Sequence, residues 1–319
     1  MAITEATPRI GSEPKSGTER YDSFMVSTLT PHLGAQVEGL DLSQPLDAPQ
    51  LHDLHQAFAD WGVLVFRNQH LDREAHKAFG RYFGDLHVHP MNYSRKSDPE
   101  ILIVKTTKDS PYTAGDAWHT DVTYDAIPPL ASALYITETP EVGGGDTLFA
   151  DMYLAYELLS PAMQQFLEGL TAVHDGGVPY VGAYGSTPPE GGYPRSEHSV
   201  ITVHPVTGKK VLYVNSGFTS HIKGLRRWES QALLDALFAH IATTRDCTVG
   251  CSGNPTRSPC GTTAAPNTTR SGTTNHTAVT ANECRCSAPS HRPDPEAQKN
   301  RAARTNSDTS SRPRVGCRR

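Results

Sequence analysis

The sequence predicts an α+β fold in which a β-sandwich or barrel is decorated with helices, and three observations carry that prediction. Short runs rich in β-branched residues recur between positions 24 and 244 with only a few helical stretches among them. These strands do not alternate strictly with long helices, as a doubly wound parallel sheet requires. VITV and KVLYV flank the turn signal HPVTGK, which reads as an antiparallel hairpin.

The elements follow in order. Residues 1–22 are polar and rich in Pro, Gly, Ser and Thr, a mobile tail by composition, so the fold is expected to begin near Phe24. Ala48–Trp61 carries Leu51, Leu54 and Phe58 at helical spacing, and Gly62 introduces a buried strand ending at Phe66. A second helix is expected over Arg73–Phe83. Strands are expected at Ile101–Lys105, Ala131–Ile136 and Thr147–Ala150, with the hairpin over Ser199–Val214. Gly224–Thr243 reads as a helix with Leu233, Leu234, Leu237 and Ile241 on one side.

A chain of 319 residues is accommodated by one catalytic domain with tails. The net charge of -5 gives no support for a nucleic-acid partner held by bulk electrostatics. No run approaches the roughly 18 apolar residues of a membrane span, and the N-terminus lacks a signal-peptide core, so the cytoplasm is the expected location. Cys247, Cys251, Cys260, Cys284, Cys286 and Cys317 all lie beyond residue 246. The cysteine-free remainder suits a reducing compartment.

Chemistry concentrates in WHTDVTY, Trp118–Tyr124. On a strand, residues two apart share a face, which would bring His119 and Asp121 together. An imidazole and a carboxylate on one face begin the facial triad, two His and one carboxylate, that leaves positions open on Fe(II). An H-x-D tripeptide also arises by chance, so its neighbours decide. After Trp118 and VTY come Pro128 and Pro129, the strand ASALYI, and GGGDTLF at Gly143–Phe149. In order and spacing this resembles the TauD/TfdA family of 2-oxoglutarate-dependent dioxygenases over about Phe24 to Thr244.

The resemblance implies a double-stranded β-helix (jelly-roll) core decorated with helices. It implies that His119 and Asp121 are iron ligands and that Thr147 hydrogen-bonds the carboxylate of the cosubstrate 2-oxoglutarate. His89, in LHVHP, stands where taurine-type members place a substrate-binding histidine. Asn92 replaces the aromatic residue expected next, and Gly115 stands where those members carry a polar side chain. His174, His198, His204, His221 and His240 have no partner at metal-ligand spacing and read as ordinary.

The family closes its site with a distal histidine late in the chain, in W-D-N-R followed by H-Y-A, and with an arginine about eleven residues further on. Neither is here, and the dioxygenase domain, 23–246, reads as lacking the C-terminal part of its core. Residues 250–319 contain no Leu, Ile, Met, Phe, Tyr or Trp, so the segment 247–319 reads as an aberrant, disordered tail. Re-reading each codon after about residue 249 one base earlier permits W-D-N at Gly261–Thr263, R at Ala264 and H-Y-A-V at Thr268–Ser271. Arginine codons become possible at Val279 and Glu283. A frameshift near codons 245–250 explains together the sudden cysteines, the loss of large apolar residues and the missing ligand. The tail lacks the paired C-x-x-C spacing of a zinc site, and His276 sits in a polar run without strand character.

The resemblance therefore implies Fe(II), 2-oxoglutarate and dioxygen, with hydroxylation of a small organic acid such as taurine, another sulfonate or an alkyl sulfate, and release of succinate and CO2. Relatives often form dimers or tetramers, so a homo-oligomer is open. The alternative is an inactive remnant, or a non-catalytic binding protein, without the third iron ligand.

Overall fold

The computed structural model describes residues 18–89, 98–107, 109–110, 115–139, 146–183, 185 and 187–243, with strand segments at 248–251, 261–264, 268–272 and 279–287. Strands β1 (Thr18–Arg20), β2 (Met25–Thr28) and β3 (Ala35–Glu38) form an antiparallel ladder. Ordered pairing thus starts at 18, earlier than the expected 24, because the Tyr21 amide bonds the Phe24 carbonyl (3.0 Å) and turns the chain back on itself.

Helix α1 (Ala48–Trp61) has the bounds its sequence predicts. The Asp47 carboxylate accepts from the Gln50 amide (2.9 Å), and the Gln50 side chain accepts from the Asp47 amide (3.0 Å), a reciprocal capping box. Gly62, at φ 67, supplies the left-handed residue that ends the helix. Leu54, Ala57, Phe58 and Trp61 face the core, and the chain turns directly into β4 (Val63–Phe66), every residue of which is buried.

Helix α2 (Arg73–Arg81), capped by Asp72, leads to β5 (Asp85–His87), β6 (Ile101–Thr106), β7 (Ala131–Glu138) and β8 (Asp146–Ala150). Two short helices follow, α3 (Met152–Glu157) and α4 (Pro161–Leu167), capped by Asp151 and Ser160. Neither is read from the sequence, since each is too short to show helical periodicity.

Strand β9 (Thr171–Asp175) is central to a three-stranded sheet, with β10 (Arg195–Ser199) on one side and β13 (Thr219–Ile222) on the other. Between β9 and β10 lies a π-helical turn, Val178–Ala183. The expected hairpin forms as β11 (Ile201–Val203) and β12 (Lys210–Leu212). Helix α5 (Arg227–Thr243) buries Ser230, Leu234, Leu237 and Ile241. No helix of the described residues is long and apolar enough to cross a membrane.

The last quarter differs from the expectation of a structureless segment after 246. Strands β14 (Thr248–Cys251) and β16 (Thr268–Gly272) pair with the two edges of β8. Strand β15 (Gly261–Ala264) lies between β4 and β7, and β17 (Val279–Ser287) pairs with β5, β6 and β7. The physical reason lies in the receiving strands: β4, β7 and β8 present backbone N–H and C=O groups that need partners, and ladder pairing does not depend on side-chain identity. The other residues after 243, with Cys247, Cys260, Cys317 and His276 among them, lie outside the described residues.

Burial gives the hairpin a pH signature. His204 is 5% exposed, and desolvation lowers its pKa to about 4. The unfolded chain takes up this proton near the ordinary histidine value, so the contribution is complete above it and is lost as pH falls through about 4. We predict that urea unfolding of the native chain loses roughly 1–2 kcal/mol more between pH 7 and pH 5 than that of His204→Gln. Equal losses would contradict this.

Candidate metal centre

Trp118–Tyr124 is not the continuous strand its sequence pattern predicts. His119 is an isolated bridge residue, and Asp121–Tyr124 forms a turn. The break sits at Val122, whose φ of 53 places a buried β-branched residue in the left-handed region, at a cost of about 1–3 kcal/mol. The Asp125 amide closes the turn on the Val122 carbonyl (2.9 Å). The two predicted ligands still meet, with His119 Nε2 3.3 Å from Asp121 Oδ1, but the turn brings them there rather than strand alternation.

The surrounding hydrogen bonds fix what these atoms present. His119 Nδ1 lies 2.8 Å from the Ala117 carbonyl, which can only accept, so Nδ1 carries the proton. In the neutral ring Nε2 is then a bare lone pair facing the carboxylate. Ser132, on β7, donates to the other carboxylate oxygen, Oδ2, at 2.6 Å and leaves Oδ1 turned toward the imidazole. Two electron-rich atoms held face to face require a positive charge, either a second proton on the ring or a cation shared by both.

A cation fits. Two N/O donors about 2.1 Å from one metal and at right angles lie about 3 Å apart, and both here have the outer hydrogen bonds that orient metal ligands. The fit extends to two protein ligands and no further. Among the described residues, no group of three His, Cys, Asp or Glu is placed to hold a metal ion.

The pair is backed by the loop Asn215–Phe218, which sequence reasoning does not single out. The Gly217 amide and the Ser216 hydroxyl both donate to the Trp118 carbonyl, at 3.0 and 3.1 Å. A Cβ at Gly217 would lie 2.7 Å from His119 Cβ, so only glycine allows this approach. Tyr213, just before the loop, has its hydroxyl pKa pushed up by burial and then by the Asp121 charge.

The other two predicted site residues are buried. Thr147 lies on β8, and His89 follows β5. The Tyr180 hydroxyl, from the π-helical turn, is 3.3 Å from His89 Nε2. Ring contacts connect this point to the metal pair: Tyr180 to Tyr124 (6.4 Å between centroids), Tyr124 to Phe218 (5.0 Å), and Phe218 to His119 (6.2 Å). His89 and His119 are thus ends of one aromatic wall, a relation no local sequence pattern reveals. Asn92 and Gly143–Gly145 lie outside the described residues.

The site is thus a β-sheet scaffold carrying a His–Asp pair whose facing donors could share a cation. The chain belongs to the taurine catabolism dioxygenase TauD, TfdA family, which matches residues 26–249. An alpha-ketoglutarate-dependent sulfonate dioxygenase of Saccharomyces cerevisiae is 34% identical over 244 residues, 72% of this chain and 58% of the yeast protein. The match thus spans little more than half the length of that relative. An alkylsulfatase of Acinetobacter baylyi is 34% identical over 66% of this chain and 68% of its own length. A taurine dioxygenase structure from Burkholderia xenovorans superposes with a TM-score of 0.70 at 30% identity, covering 84% of this chain and 90% of that one.

Two substitutions test the geometry. Ser132→Ala removes the bond that orients Asp121 and is expected to weaken Mn(II) binding by about 10-fold or more, the scale of outer-ligand losses. Gly217→Ala forces His119 aside and is expected to weaken binding at least as much. Calorimetric titration with Mn(II) measures both, and affinities equal to the unsubstituted protein would contradict the assignment.

Proposed function

We propose that this chain carries the site of an Fe(II)- and 2-oxoglutarate-dependent dioxygenase acting on a small organic acid such as taurine, another sulfonate or an alkyl sulfate. The observation that carries the reading is His119 Nε2 held 3.3 Å from Asp121 Oδ1, inside the stretch that matches the family. Sulfonate and sulfate-ester chemistry in the names of relatives supports the substrate class. Iron, when bound, supplies the activation of dioxygen that couples loss of CO2 from 2-oxoglutarate, leaving succinate, to hydroxylation of the substrate.

The chain's own residues divide the remaining work. His119 and Asp121 hold the metal, with Ser132 keeping the carboxylate turned. Thr147 donates its hydroxyl to the 2-oxoglutarate carboxylate. His89 and Tyr180, joined by their own hydrogen bond, leave one donor, an imidazole N–H or the phenol O–H, for the anionic end of the substrate, and the rings of Tyr124 and Phe218 exclude water between that end and the metal. The core is a jelly roll, and the enzyme works in the cytoplasm.

A second reading, a frameshift near codons 245–250 that leaves an inactive remnant, is favoured by three specific observations. The family match stops at residue 249, where the composition changes. Among the described residues no group of three His, Cys, Asp or Glu is placed to hold a metal ion. The bounds of β15 coincide with the re-read W-D-N-R at Gly261–Ala264, and β16 covers the re-read H-Y-A-V at Thr268–Ser271. On this reading the missing third ligand belongs at position 268, on a strand beside the one that carries Thr147.

The test measures succinate from 2-oxoglutarate with Fe(II), ascorbate and a panel of sulfonates and alkyl sulfates. It compares the native chain, a frame-restored chain and the frame-restored His119→Ala variant. We expect activity in the restored chain, none in His119→Ala, and at most about a thousandth of the restored rate in the native chain, roughly 4 kcal/mol of lost barrier reduction. Silence in both the native and restored chains overturns the dioxygenase reading, and equal activity in both overturns the remnant reading.

A further inference from the structure

We propose that Thr123, His174, His198 and Asn215 form a buried clamp that positions the metal pair by holding the strained turn after Asp121. Val122 takes a left-handed conformation that a β-branched residue does not adopt unaided, so the residue after it must be restrained. Thr123 is fully buried, and its hydroxyl meets two partners. His174 Nδ1 lies 2.8 Å away, and the Asn215 side-chain amide donates to it from 3.3 Å.

The carbonyl of Thr123 is gripped as well. His198 Nε2 lies 2.8 Å from the Thr123 carbonyl and 3.1 Å from that of Asp125. Both carbonyls only accept, so this nitrogen carries a proton and forks across the turn. His87, on β5, holds the far end through Asp125 Oδ2 (2.9 Å).

The members of the clamp are themselves fixed. His174 and His198 stand on the paired strands β9 and β10, with rings 5.2 Å apart. Asn215 accepts from the Phe218 amide (2.8 Å), and its own amide donates to the Thr219 hydroxyl (2.9 Å). That closes the loop whose Gly217 touches His119. Desolvation, followed by the nearby His198, brings the His174 pKa down to about 3, so the ring stays neutral at physiological pH. Histidines that read as ordinary in the sequence thus become positioning residues: they touch neither metal nor substrate, and they set where His119 and Asp121 can be.

The consequence for metal binding rests on the proposed function, whereas the clamp itself does not, and the test separates them. Amide hydrogen exchange of the full chain is followed across residues 118–125 and across helix α5, and Mn(II) affinity is titrated alongside. Thr123→Val keeps the shape and removes the hydroxyl, Thr123→Ser keeps the hydroxyl, and His198→Phe keeps a ring without the donor.

We expect exchange over 118–125 to quicken at least 10-fold in Thr123→Val and His198→Phe, with α5 unchanged, Mn(II) affinity lower by 10-fold or more, and Thr123→Ser like the native chain in both. If Thr123→Val does not fold, His198→Phe carries the test. Unchanged exchange over 118–125, or equal quickening of α5, overturns the clamp. Local quickening in the variants, alongside a native chain that binds no Mn(II), upholds the clamp and overturns the metal reading.

Discussion

One electrostatic constraint organises this molecule: an imidazole nitrogen and a carboxylate oxygen are held face to face, an arrangement that calls for a positive charge between them. The Ala117 carbonyl accepts from Nδ1, and Ser132 donates to the far carboxylate oxygen, so Nε2 and Oδ1 confront each other across 3.3 Å. Left alone, such a pair repels or acquires a proton. Held by its surroundings, it is satisfied by a second ring proton or by a shared cation.

Holding it requires a backbone that a plain strand does not provide. The left-handed Val122 turns Asp121 toward His119, and the polar groups buried behind the turn offset that strain. The loop ending in Gly217 and Phe218 presses on the opposite side of His119 and extends into the aromatic wall that reaches His89. His119, Asp121, His89 and the buried histidines therefore share the same few segments.

Much of this frame was legible in the sequence, wherever the signal is local. The capping residues Asp47 and Gln50 and the terminator Gly62 set α1 to the residue, and the HPVTGK turn set the hairpin. His119 and Asp121 were recognisable by their company, although strand alternation was the wrong reason for their meeting. A left-handed valine has no sequence signature, because only tertiary contacts enforce it. Tyr180 meets His89 across 91 positions, and Asn215 meets Thr123 across 92, so neither contact shows in any window of sequence. The last quarter divides differently: its composition denies a core, yet its backbone fills slots beside β4, β7 and β8.

The protonation state of His119 is the most direct test of the account. In protein labelled with 15N at histidine, ring nitrogen shifts at neutral pH should show Nδ1 protonated and Nε2 bare. Adding diamagnetic Zn(II) should then move the Nε2 resonance of His119 while Nδ1 keeps its proton. A proton found on Nε2 without metal, with no response to Zn(II), would contradict the central claim that this pair is built to share a cation.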